Sequence, residues 1–286
     1  MSNLLQRLLL FFVGVPAIFA VVWLLPGAHH AATVALVLAF CTGSGLELGR
    51  LFVQKGIRVR PGLSGALAVA VPSLFYASTF VGPASFGSAG LVGLGLALLA
   101  VFVLLPFGLA RKEDLAEALP RAAAYGFTLV YPGLLSGFVV LIAAEPPRAT
   151  EAILAFALAT FGNDSLAWLV GSTLGKRRGL VAVSPNKSLA GFVGGFAGSL
   201  GGLFLARLAF PASFPATLLA LVPMALAVGA ATILGDLFES ALKRSAGAKD
   251  SGSGVPGRGG FLDSFDSLLF AAPLFYAFAL ALGLFR

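Results

Sequence analysis

Residues 235–267 read Gly-Asp-Leu-Phe-Glu-Ser-Ala-Leu-Lys-Arg-Ser-Ala-Gly-Ala-Lys-Asp-Ser-Gly-Ser-Gly-Val-Pro-Gly-Arg-Gly-Gly-Phe-Leu-Asp-Ser-Phe-Asp-Ser, a run crowded with acids, bases and glycines. It holds five of the chain's twelve acids: Asp236, Glu239, Asp250, Asp263 and Asp266. Outside it, only Asp164 reads as an acid deep in an apolar segment. On a helix, Asp236, Ser240 and Lys243 fall four and three residues apart and share a face, with Glu239 at its border. A solvated helix end accounts for Lys243 and Arg244. It does not account for Asp236, about two turns deeper beside Ile233 and Leu234. Asp263 and Asp266 are three apart and can point the same way at the start of the next helix. If the two helices pack side by side, Asp236, Asp263 and Asp266 converge. Clustered carboxylates without His or Cys suit hard cations, chiefly Mg2+, with a second cation left open. Without a cation they repel one another. A structural alternative makes Asp263 a helix N-cap with Asp266 at N3, which does not exclude metal binding.

Between these helices the chain loosens. Ser251-Gly-Ser-Gly is flexible, and Pro256-Gly257 and Gly259-Gly260 are turn-prone. Such glycines let backbone N–H groups approach phosphate oxygens, and Lys249 and Arg258 add cationic contacts. Alone, the loop reads as an ordinary basic loop. Two further places carry polar chemistry: Asn163-Asp164 inside an apolar segment, and the loop Ser184-Pro185-Asn186-Lys187-Ser188 that follows it. Pairing Asp164 with Lys187 would be a purely structural solution.

The elements that must hold these groups are membrane helices. The chain of 286 residues is 58% hydrophobic and 11% charged, against about 25% charged in soluble domains. A span needs about 20 apolar residues. Nine are read, at roughly 8–26, 31–49, 62–82, 87–109, 121–144, 150–174, 188–207, 214–240 and 264–285. The expected fold is an all-α polytopic bundle. It forms one membrane domain over 1–286, with N-terminal helices at 1–120 and the motif-bearing, catalytic helices and loops at 121–286. The first span could be a signal peptide but is long for one, and a retained helix is preferred. Residues 111–121, short and of mixed charge, read as an interfacial helix or linker. The pattern Gly191-Phe-Val-Gly194-Gly195-Phe-Ala-Gly198 reads as close helix packing.

With the N-terminus inside, 16 of the 19 Lys and Arg fall on the inner side, as the positive-inside rule requires. The run at 241–263 then faces the cytoplasm. The same bias explains the net charge of +7 without a nucleic-acid partner. The single cysteine, Cys41, excludes an internal disulfide and a Cys cluster. His29 and His30, adjacent in a short loop, offer no plausible general base or metal pair.

Taken together these residues resemble the phosphatidate cytidylyltransferase (CDP-diacylglycerol synthase) family. The family's C-terminal signature, Ser-x-x-Lys-Arg, Lys-Asp, Pro-Gly-His-Gly-Gly and Asp-Arg-x-Asp, is met by Ser240, Lys243, Arg244, Lys249, Asp250, Pro256, Gly257, Gly259, Gly260, Asp263 and Asp266. Gly235-Asp236 precedes it as in the family. A second region matches at Asn163, Asp164, Gly175, Lys176, Ser184, Pro185, Lys187, Gly191, Gly194 and Gly195. Glu47 corresponds only loosely to an acid near the end of the family's second helix. The motifs cover roughly the C-terminal 40% of the chain. Arg258 stands where the family has His, Ser264 where it has Arg, and Ser188-Leu189 where it has Thr-Trp.

The resemblance implies conversion of CTP and phosphatidate to CDP-diacylglycerol and pyrophosphate in the cell inner membrane, with Mg2+. It implies metal ligation by Asp236, Asp263 and Asp266, with Asp250 next. Lys187, Lys243, Arg244, Lys249 and Arg258 would hold phosphates. Gly257, Gly259, Gly260 and Ser184 would shape the nucleotide site, and Asp164 would line it. A homodimer is left open. Rival readings are a related CTP-using lipid enzyme, a catalytically altered paralogue and an ion-coupled transporter.

Overall fold

The computed structural model describes residues 13–80, 116–144, 147–176, 179, 181–214 and 217–285. In hydrocarbon, each backbone N–H and C=O must be satisfied within its own segment, so long apolar runs become helices. Among the described residues no strand forms, and an isolated bridge joins Val255 to Gly259. The helices are α1 (Val15–Leu24), α2 (Gly27–Gln54), α3 (Pro61–Ser78), α4 (Ala118–Ala144), α5 (Ala149–Leu174), α6 (Leu189–Ala209), α7 (Leu218–Ser245) and α8 (Phe261–Ala281). Seven of them, α2 to α8, are long and apolar enough to cross a membrane. The protein is a polytopic helical membrane protein. The expected span at 87–109, residues 8–12 of the first span and residues 111–115 lie outside the described residues. The count of nine is therefore not reached among those described.

At the motif run, two helix ends differ from the spans read in the sequence. Helix α7 continues to Ser245, not 240, with Lys243 and Arg244 in its last turn, where cations favour the dipole. Helix α8 starts at Phe261, not 264. Its N-cap is Gly260 and Asp263 is N3. The N-cap expectation for Asp263 is thus corrected: its carboxylate reaches back to the Gly260 N–H at 2.7 Å, which fixes the start one turn earlier.

Glycine sets the helix spacing. A Cβ at Gly194 would lie 2.7 Å from Val170 Cβ and 2.8 Å from Leu166 O, so α6 closes directly on α5. Gly235 does the same for α7 on α8, since a Cβ there would lie 2.5 Å from Asp266 O. Helix α4 widens to a π-turn over Leu129–Leu134, which contains Pro132. It seats Tyr131 among Phe127, Phe238 and Phe270. Opposite the motif run, Arg148 Nη1 donates to Ser213 Oγ at 3.3 Å and His30 Nε2 lies 3.2 Å from Thr150 Oγ1. Both histidines therefore lie at the far end of the bundle.

Candidate active site

At the motif end a cavity of about 620 Å³ opens between α5, α6, α7 and α8. Its acids come from three helices: Asp164 from α5, Asp236 from α7, Asp263 and Asp266 from α8. Gly235 places Asp236 against α8, so the close approach and the adjacent acid belong to one dipeptide. Asp266 is 5% exposed, and its Oδ1 accepts from the Ser267 N–H at 2.6 Å. Asp236, Asp164 and Arg258 lie near enough to act on its charge. Asp250 also lines the cavity.

The cations face these acids. Lys187, on the turn before α6, pairs with Asp236 at 2.6 Å. The alternative pairing of Lys187 with Asp164 is not what forms. That turn is set locally: Lys187 N–H donates to Ser184 O at 3.1 Å, and Ser188 caps α6 by accepting from Gly191 N–H at 3.1 Å. Lys243 pairs with Asp263 and lies 2.6 Å from Glu239 Oε2. The second contact is an ion pair, and no other donor reaches either Glu239 oxygen. Glu239 is fully buried.

The loop between α7 and α8 is ordered by one tight turn. Arg258 N–H donates to Val255 O at 3.2 Å across Pro256-Gly257, and Gly257 carries φ 78°. Proline followed by a left-handed glycine is the type II pattern. It delivers exposed Arg258 to the cavity.

Of the expected site residues, Asp164, Lys187, Asp236, Lys243, Asp250, Arg258, Asp263 and Asp266 line this cavity. Ser184, Arg244, Lys249, Gly257, Gly259 and Gly260 are not among the residues that line it. Arg244 and Lys249 are exposed, and Arg244 Nη1 donates to Ala248 O at 3.3 Å. Gly260 is seated on protein: a Cβ there would collide with Ser251 Oγ and Glu47 Oε2. Asn163 is a structural tie, its Nδ2 donating to Ser199 Oγ at 3.0 Å and Gly229 O at 3.4 Å.

Sequence reasoning underrated Glu47. It is 2% exposed inside α2, so Asp164 is not the only acid deep in an apolar segment outside the run. The available signal was one acid among Gly43, Gly45 and Gly49 in a greasy helix. It also missed the apolar wall of the cavity, formed by Ile233, Phe192 and Trp168, the last 73% exposed. A separate hollow of about 640 Å³ between α6 and α7, lined by residues such as Leu200, Phe204 and Val222, offers no group for chemistry.

All protein donors at the cavity acids are oxygens, the set a hard cation prefers. As the side chains lie, no three acids among the described residues stand at metal-ligand spacing. Asp236 is turned to Lys187 and Asp263 to Lys243.

Comparison with known proteins places the chain. A family model described as the cytidylyltransferase family matches residues 5–282. The phosphatidate cytidylyltransferase of Bacillus subtilis is 33% identical over 248 residues, 86% of this chain and 88% of that one. That of Pseudomonas aeruginosa is 32% identical over 278 residues, 97% of each. That of Thermotoga maritima is 36% identical over 173 residues, 59% of this chain and 63% of its own length. With a model spanning nearly its whole length and relatives above 30% identity across most of both sequences, the chain belongs to the cytidylyltransferase family of nucleotidyltransferase enzymes.

Proposed function

We propose that this cavity makes CDP-diacylglycerol. A phosphate oxygen of phosphatidate attacks the α-phosphorus of CTP. The new P–O bond forms as the bond from the α-phosphorus to the β-phosphate oxygen breaks, and pyrophosphate leaves. The carrying observation is the cavity itself, where Asp164, Asp236 and Asp266 stand opposite Lys187, Lys243 and Arg258 at one end of a membrane bundle.

Both reactants are anions, so the cations have a direct task. Lys187, Lys243 and Arg258 would bind the phosphates and hold attacking oxygen, phosphorus and leaving oxygen in line. Lys249 and Arg244, both exposed, would draw the nucleotide in. Phosphate is already a nucleophile, so no side chain needs to remove a proton from it, and no histidine is needed. Mg2+ fits the oxygen donors of Asp236, Asp263 and Asp266, with Asp250 beside them, and when bound would neutralise phosphate charge and stabilise the departing pyrophosphate. Lys187 would leave Asp236 as phosphates arrive. The apolar side, with Trp168 facing outward, suits a lipid whose chains stay in the bilayer while its headgroup reaches the acids. This end would face the cytoplasm of the inner membrane, since the basic loops gather there.

The test is an assay with radiolabelled CTP and purified protein in detergent, over a panel of lipid phosphates, with Mg2+ present or chelated. CDP-diacylglycerol should form only with phosphatidate and Mg2+ together. No label in lipid, or a clear preference for another lipid phosphate, would overturn this reading.

A further inference from the structure

Glu47 lies behind the cavity wall, not in it, yet its carboxylate gathers the most remote contacts at the motif end. Oε1 accepts from Phe261 N–H at 3.0 Å, and Oε2 accepts from Leu262 N–H at 2.9 Å and from Ser251 Oγ at 2.8 Å. Phe261 and Leu262 are the first two residues of α8, whose leading N–H groups have no partner within the helix. Glu47 thus supplies the anion that a helix N-terminus favours, from more than 200 residues away in sequence.

The surroundings are cut to fit it. A Cβ on Gly252 would lie 2.7 Å from Glu47 Cδ, and one on Gly260 would lie 2.8 Å from the same atom. One turn earlier on α2, Gly43 admits the Phe261 ring, and Phe40 meets that ring edge-on at 5.3 Å. The same Ser251 hydroxyl lies 2.9 Å from Asp263 Oδ2, and the Ser251 N–H donates to that oxygen at 3.0 Å. Asp263 in turn holds Lys243. A chain of direct contacts therefore runs from Glu47 through Ser251 and the start of α8 to two groups that line the cavity.

We infer that Glu47 is a positioning residue: its negative charge pins the glycine-rich loop and the first turn of α8, and so sets where Asp263 and Lys243 stand. Its effect on turnover rests on the proposed cytidylyl transfer; its effect on the loop does not. A carboxylate can accept from all three donors. A glutamine of the same size cannot, because its NH2 would face an N–H. Charge and size therefore make opposite demands. Asp keeps the charge and shortens the reach, whereas Gln keeps the size and loses the charge.

The experiment compares Glu47→Gln and Glu47→Asp in the full chain by two readouts. One is the rate of tryptic cleavage after Lys249 and Arg258. The other is kcat and KM for CDP-diacylglycerol formation. Glu47→Gln should speed cleavage severalfold and lower kcat by about tenfold or more, with KM for phosphatidate nearly unchanged. Glu47→Asp should lie between it and the parent on both readouts. Parent-like cleavage in Glu47→Gln overturns the inference whatever happens to kcat. So does a Gln variant that outperforms Asp, since that is the signature of space-filling. If Glu47→Gln does not fold, Ser251→Ala removes one contact and keeps the charge; cleavage no faster than in the parent then overturns it. Should the parent make no CDP-diacylglycerol, the proposed reaction fails and cleavage still decides the role of Glu47.

Discussion

Lys187 and Lys243 face the same cavity from different elements, and each meets an aspartate. Their settings differ. Lys187 sits on a turn, and its pair with Asp236 is open to solvent, with the two side chains 22% and 41% exposed. Lys243 sits in the last turn of α7 between two carboxylates and is 12% exposed, against 8% for Asp263 and 1% for Glu239. An open pair is worth about 0–1 kcal/mol and exchanges readily for a better anion. A buried one costs several kcal/mol to break from one side, because the partner is left charged and dry. One side of the cavity can therefore yield to a phosphate, while the other is built into the fold. A site for two anionic reactants needs both properties: a lysine that can change partners and a frame that does not move.

Asp263→Asn tests the frame most severely. It removes the charge that holds Lys243 and weakens the acceptor of Gly260 and Ser251 N–H. Turnover should fall about a thousandfold or more in the CTP assay, while the protein still elutes as a folded species in detergent. Parent-like turnover would remove Asp263 from the proposed metal and phosphate machinery. Lys243→Met should come next. It strands Glu239 without a cation, so the thermal unfolding midpoint should drop by what about 3–5 kcal/mol implies, with activity lost in parallel. An unshifted midpoint would show that the pair is not part of the frame.

Lys187→Met should separate the two properties. Stability should stay within about 1 kcal/mol of the parent by the same unfolding measurement. kcat/KM for CTP should fall by about 10- to 100-fold, the worth of one charged hydrogen bond to phosphate. If Lys187→Met unfolds as readily as Lys243→Met, the contrast between the two lysines collapses.

Which of these features could be read from the sequence follows from how far apart their causes lie. The membrane helices were legible because each is a local apolar run, satisfied within itself. Asp236, Asp263 and Asp266 were legible as acids of one cavity because helical spacing puts the last two on one face and the two helices follow one another in the chain. The start of α8 was misplaced by three residues because part of its cap, Glu47, comes from α2. Gly260 was read as a phosphate-approach glycine, yet what excludes a side chain there is the same distant carboxylate. Gly257 was read correctly as a turn, since Pro256 beside it makes the cause local. The partner of Lys187 was not legible: the sequence offers Asp164, in the helix just before its loop, and Asp236 comes within reach only when α7 packs beside α6.

Arg258 is the smallest and most informative case. It stands where the family motif has histidine, at the end of the Pro256-Gly257 turn, exposed and lining the cavity. It lies close enough to act on the charges of both Asp164 and Asp266. Ser264, where the motif has arginine, instead donates to Gly260 O at 2.9 Å and so serves the helix backbone. The two departures fit a transfer of positive charge from α8 to the turn. If that is their origin, Arg258→Ala should cost about tenfold in kcat/KM and little stability, because an exposed side chain on a turn carries no packing. Adding Ser264→Arg to Arg258→Ala should then recover part of the loss, since it returns the cation to the motif position. Full activity in Arg258→Ala would mean that the cavity needs no cation from the turn. A loss that Ser264→Arg cannot relieve would mean that the guanidinium acts from the turn alone, with Lys187 as its counterpart on the exchangeable side of the cavity.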